Sequence, residues 1–206
     1  MAETIAITTA VLALAVSIAT AWLTYFHRGA IRMAEPSMVV FAYEPAGSRA
    51  GFVPKVMVRC LLFSTGERGR IIEGLFARTQ VAGSEHIFPV WGMDADNKLV
   101  RGGGLLVAKG GVVAWHHFIA SSTGPELSFR PGEYEVQVFA RVHGRTRPVR
   151  LWSHTLTVSQ AVAPMSHDGR EQVWFDRLPE SDGFEARRES RASANKPLHP
   201  TAFGRG

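Results

Sequence analysis

Phe129-Arg130-Pro131-Gly132-Glu133-Tyr134-Glu135-Val136-Gln137-Val138-Phe139-Ala140-Arg141-Val142 decides how the chain is read. After the Pro-Gly turn, Tyr134, Val136, Val138, Ala140 and Val142 fall on one face, and Glu133, Glu135, Gln137 and Arg141 take the other. Successive side chains of a strand point to opposite sides of its sheet, so this alternation specifies a strand with one face in a core and one in solvent. Phe139 interrupts the polar face. His143-Gly144-Arg145-Thr146-Arg147-Pro148 then turns the chain into residues 149–158, where Trp152, Leu156 and Val158 share one face and Val149 and Leu151 the other. That change of phase predicts a β-bulge near Ser153.

Toward the N-terminus the same grammar repeats. Residues 37–44 (SMVVFAYE) and 55–63 (KVMVRCLLF) are rich in β-branched and aromatic residues, with a Gly- and Pro-containing loop between them. Residues 71–80 read as a further strand, followed by the turn VAGSE and the run HIFPVW, which Pro89 demotes to an edge because proline has no N–H for a ladder. Gly102-Gly103-Gly104 introduces LLVA, and Lys109-Gly110-Gly111 predicts a hairpin turn into VVAWHHFIA. Some seven or eight short strands with no long amphipathic helix predict an all-β fold, an antiparallel two-sheet sandwich over residues 37–160.

Within that pattern the run from Phe129 to Val136 resembles the start of the penultimate strand of immunoglobulin-like and fibronectin III-like domains, in which a corner tyrosine bonds back to the backbone upstream. The resemblance covers roughly residues 37 to 159. It implies a structural role for Tyr134 and places Cys60 on the second strand of the domain, near a disulfide position of antibody-type domains. The chain departs from the antibody pattern: Val136 stands at the partner position, and the third strand has no Trp. It therefore implies architecture and not antigen-type recognition, since this fold hosts many functions.

The run IAITTAVLALAVSIATAWLTYF, residues 5–26, contains no ionisable acid or base apart from Tyr25. A helix of that length covers the ~30 Å hydrocarbon core of a bilayer with its backbone bonded internally. Residues 1–28 are thus expected to be a single-pass transmembrane anchor, with 29–36 as a linker. Trp22, Tyr25 and Phe26 crowd one end and His27, Arg28 and Arg32 follow, whereas the other flank has Glu3 and no Lys or Arg. The positive-inside rule then puts the N-terminus outside and the domain in the cytoplasm, at an inner membrane. The alternative is a cleaved secretory signal, for which Ala19-Thr20-Ala21 has the small-x-small form. An acidic n-region, an apolar run longer than the usual ~7–15 residues and the aromatic belt oppose it. A single cysteine, Cys60, excludes an intramolecular disulfide and suits a reducing compartment. Small residues four apart, Ala13/Ser17/Ala21 and Ala15/Ala19, make a homo-oligomer through the helix one of the expected partnerships.

After Gln160 acids and bases balance, and Val173-Trp174-Phe175 is the one compact apolar patch, expected to dock on the sandwich; residues from about 181 are expected to be disordered. The final ANKPLHPTAFGRG resembles tails on bacterial reading frames that run into mobile gene-cassette repeats, which implies a bacterial source. The net charge of +5 is neither clustered as an arm nor interleaved with aromatics as base stacking requires, so nucleic acid is not among the expected partners.

No catalytic, cofactor or metal constellation stands out, and none is expected. His116 and His117 are adjacent, so on a strand they face opposite ways; one is expected in the core beside Trp115, the other exposed. Asp94, Asp96 and Asn97 look like part of a calcium loop, but Lys98 and Leu99 replace the oxygen ligand and glycine it needs, and turn chemistry explains them. The glycines at 102–104 do not open a helix and so do not cradle phosphate. Ser64 and Cys60 have no base tied to them by spacing. What remains is a membrane-anchored, non-enzymatic binding or scaffolding module with an unknown protein partner. A periplasmic or surface-facing adhesion or envelope-assembly domain is the runner-up, and a hydrolase or metal enzyme the third class. In an immunoglobulin-like sandwich the N-terminus shares an end with the loops at 64–70 and 143–148. Arg28, Arg32, Arg68, Arg70, Arg145 and Arg147 are therefore the residues expected to meet the bilayer surface, each worth about 1 kcal/mol near anionic lipid.

Overall fold

The structure, a computed structural model, describes residues 1–26, 29–45, 51–93, 99–120, 127–164 and 168–191. Helix α1 spans Ala2–Ala21 and widens into a π-turn over Trp22–Phe26. The segment Ala2–Thr24 is long and apolar enough to cross a membrane, and none of its most apolar window is buried against the rest of the chain. Four of its hydroxyls are satisfied within the helix: Thr8, Thr9, Ser17 and Thr20 each donate to the carbonyl four residues back, at 2.8–2.9 Å. That back-bonding removes the cost of placing a hydroxyl in hydrocarbon.

The strands are β1 Ile31–Met33, β2 Met38–Pro45, β3 Phe52–Ser64, β4 Arg70–Val81, β5 Ser84–Met93, β6 Leu99–Arg101, β7 Leu105–Val107, β8 Val112–Ile119, β9 Gly132–Val142, β10 Val149–Val158, β11 Glu171–Arg177 and β12 Phe184–Ser190. The fold is all-β beyond the helix, as the alternation implied. The expected pair of separate sheets is replaced by one sheet in the order β10-β9-β4-β5-β8-β3-β2-β11-β12, with β1 on β3, β6 on β5 and β7 on β4. It is continuous because β5 changes partner midway: Pro89 is the last residue paired with β4, and Val90 and Trp91 pair with β8. Pro89 marks that corner instead of demoting the whole run to an edge. The sheet curls until its ends meet through side chains, with the Phe184 ring 4.9 Å from His154 and 6.3 Å from Trp152. The result is a nearly closed barrel.

The inward face of β9 is the one its sequence declares: Tyr134, Val136, Val138, Ala140 and Val142 are buried in the core. Phe41 sits centrally, stacked on Phe129 at 4.5 Å, with Phe175 and Tyr134 edge-on at 5.0 and 5.2 Å. Phe139, on the outer face, stacks on Phe76 at 5.1 Å, and the Arg78 guanidinium lies over it. The bulge in β10 falls between Arg150 and Trp152, slightly before Ser153.

Several boundaries differ from the sequence reading. The linker at 29–36 contains β1, paired along Ile31↔Ser64 to Met33↔Leu62. Lys109-Gly110-Gly111 does turn, but β7 pairs with β4 and β8 with β3, so no hairpin forms. Gly111 sits at φ +74°, and a Cβ on it would lie 2.8 Å from the Leu62 carbonyl oxygen, so the position takes glycine. Val173 and Phe175 do dock, fully buried on β11, and the segment after 181 carries β12, paired to β11 from Glu171↔Ser190 to Arg177↔Phe184.

Candidate functional site

The end of the barrel nearest the helix is built around the chain's exit from that helix. Gly29 has φ +59°, and a Cβ on it would lie 2.2 Å from the Gly66 nitrogen, so only glycine fits. Next to it the Ala30 N–H donates to the Thr65 hydroxyl at 2.8 Å, and the Thr65 N–H returns a bond to the Ala30 carbonyl at 2.9 Å. Ser64 locks the receiving loop: its buried hydroxyl accepts from the Gly66 N–H and lies 3.3 Å from the Arg68 carbonyl. Thus the segment leaving the helix is stitched into the barrel with no free spacer after Gly29.

Around this junction the three-dimensional fold collects basic side chains from separate parts of the chain. Arg70 and Arg145 line one cleft with Ala30, Ile31, Val142 and Val149. Arg70 reaches the His143 carbonyl at 3.5 Å, while Arg32, Arg68, Arg145 and Arg147 are exposed. Lys109 forms an ion pair with Glu67, and His143 Nδ1 lies 2.7 Å from Glu73. Arg28 lies outside the described residues, as do Asp94, Asp96 and Asn97.

The other candidates do not converge. His116 faces the core near Phe118 and is buried; His117 faces outward but is half-buried, not exposed as expected. Burial lowers the pKa of both; for His117 the value falls to about 4, with the nearby Lys55 ammonium adding to burial and Glu44 opposing it. Trp115 is not beside His116 in the core. It points to the outer face, edge-on to Trp174 at 6.0 Å. Cys60 is buried on β3, where burial pushes its thiol up to about 12, far from a reactive thiolate. Among the described residues no three His, Cys, Asp or Glu side chains are placed to hold a metal ion.

Sequence reasoning missed a buried charge. Lys55 is 5% exposed and bonds Glu44 at 2.8 Å, with Arg191 3.6 Å from the same carboxylate. Burial holds the Lys55 ammonium below its usual range, partly offset by Glu44. The signal was one Lys heading the apolar run KVMVRCLLF, but its partners lie on β2 and after β12. No protein-family model matches the chain, and no curated protein is similar to it.

Proposed function

We propose that this chain is a membrane-anchored, non-enzymatic binding or scaffolding module whose basic end rests on the cytoplasmic face of a bacterial inner membrane. The observation that carries the reading is the junction itself: an apolar helix of membrane-crossing length leads within a few residues to Gly29, packed against Gly66, and to Ala30, hydrogen-bonded to Thr65. A domain joined this way stays beside the surface from which the helix emerges. The basic residues around the junction are then within the ~8–10 Å over which anionic headgroups act at physiological salt.

An immunoglobulin-like ancestry for the domain is supported by strand neighbours. β2, β3 and β8 adjoin in the order of strands A, B and E, and β10, β9 and β4 in the order G, F and C. It is supported also by the corner, where the Tyr134 hydroxyl donates to the Arg130 carbonyl at 2.8 Å. Binding rather than catalysis is favoured because His116 and His117 face opposite ways and the Ser64 hydroxyl is engaged in its own loop.

The test is a pair of reporters fused after Gly206. Cytoplasmic fluorescence without export-dependent phosphatase activity is the expected result. Phosphatase activity would move the domain to the periplasm and favour the adhesion or envelope-assembly class. Capture from detergent-solubilised membranes then identifies the protein partner.

A further inference from the structure

The junction carries, besides its basic residues, apolar side chains that the core does not use. Ile71 and Leu106 are directly opposed across β4 and β7 on the outer face, and they are 49% and 65% exposed. Val113, 64% exposed, lies just beyond the 108–111 turn on the other side, paired with Leu61 of β3. The two flanks are held at the junction by the same loops. The Ser64 N–H donates to the Ala108 carbonyl, the Lys109 ammonium meets Glu67, and Leu106 is the nearest side chain to Gly69. A cross-strand Ile–Leu pair left open to water loses the burial that ordinarily stabilises such a pair. Here the pair is adjacent to the point where the chain leaves the helix.

We propose that this end of the barrel is a lipid-inserting surface: Leu106 and Ile71, with Val113, enter the interfacial layer of an anionic bilayer while Arg68, Lys109 and Arg145 meet its phosphates. This rests on the reading above that the helix spans the membrane and the basic end faces it. A bilayer is the occupant because the combination matches an interfacial element, with apolar side chains reaching about 5–10 Å in and cations at headgroup depth. The covalent continuity from Gly29 to the helix brings that surface within reach without a diffusional step. Salt weakens the cationic contribution and leaves the apolar one.

The test uses the full chain reconstituted in vesicles of zwitterionic lipid with an anionic fraction, carrying Leu106→Cys labelled with an environment-sensitive fluorophore. Buried Cys60 stays unlabelled in the folded protein. Lipids bearing a quencher on the headgroup are compared with lipids bearing one on the upper acyl chain. Ile87→Cys serves as control: it is 52% exposed and pairs with Arg78, seven residues along β4 from the Ile71 that faces Leu106 and therefore about 23 Å away. Quenching of the Leu106 label by the acyl-chain quencher at least about threefold above the Ile87 label, persisting in high salt, is the expected result. A Val113→Cys label should behave alike, so a local defect at one position does not decide the outcome. Quenching from the headgroup alone would leave the basic end on the membrane and overturn insertion. Quenching by neither, or shielding of the label by protein, would overturn both insertion and the membrane-facing orientation.

Discussion

Two tyrosines tie down the segment that leads into β9, and removing each hydroxyl has a different cost. The Tyr134 hydroxyl donates to the Arg130 carbonyl at 2.8 Å and lies 3.3 Å from that of Ser128. The Tyr43 hydroxyl accepts the Phe129 N–H at 2.9 Å, and Phe129 is 1% exposed. Tyr134→Phe keeps the ring against Phe41 and frees a carbonyl on the exposed residue Arg130, which water can serve. Its cost is that of an ordinary hydrogen bond, about 0.5–1.5 kcal/mol. Tyr43→Phe instead leaves a buried N–H with no acceptor, at about 1–3 kcal/mol. For a domain of this size each kcal/mol lowers the melting temperature by about 2–4 °C, so the two shifts are resolvable. The two hydroxyls clamp one segment, so the double variant should lose less than the sum of the singles. The assay is thermal unfolding of the full chain in nanodiscs, followed by near-ultraviolet circular dichroism. Equal shifts, or a larger one for Tyr134→Phe, would refute the reasoning; no shift for either would remove the corner as a stabilising feature.

Other outcomes follow from the buried polar groups. The folded-state pKa of His117 lies near 4, below its ordinary 6.5, so the unfolded chain binds more protons between those values. The part of the stability that depends on a neutral His117 is therefore fully present above pH 6.5 and lost as pH falls toward about 4, and His117→Leu should reduce the dependence of melting temperature on pH across that window. Glu44→Gln strands the buried Lys55 ammonium and should destabilise toward the low end of about 3–5 kcal/mol by denaturant titration. Lys55→Met leaves Glu44 with Arg191 and should cost less; the reverse order would mean that the pair does not carry the burial. A maleimide should leave Cys60 unmodified at neutral pH until denaturant opens the barrel, as read by intact mass.

The parts of the fold legible in sequence were those encoded by local period. β9 declares its inward face residue by residue, and the helix declares itself by the uncharged run at 5–26. Pairing is different, because turn residues state that the chain reverses and not where its strands go. Lys109-Gly110-Gly111 reverses the chain, yet β7 and β8 leave for different partners. β1 is three residues long, too short to show a period, and exists because Ile31 and Met33 lie against β3. β12, FEARRES, reads as disordered because it buries little. It is held by its ladder to β11, by Arg187 pairing with Asp176 and Glu189, and by the Arg187 guanidinium over Trp174. The meeting of Arg70 and Arg145 beside Ala30 was anticipated from loop positions in a sandwich. The apolar component of that end was not, since Ile71 is followed by the fully buried Ile72 and nothing local says which of the two faces outward.

Hydrogen exchange of the full chain, in nanodiscs of purely zwitterionic lipid and in nanodiscs with an anionic fraction, tests most directly whether the barrel rests on the bilayer by its junction end. Slower exchange across 64–70, 105–111 and 143–148 in the anionic discs, with the β4–β5 turn at 81–84 unchanged, is the expected result. Equal exchange in the two lipids at all of these segments would mean that the domain hangs from its helix without reading the membrane surface.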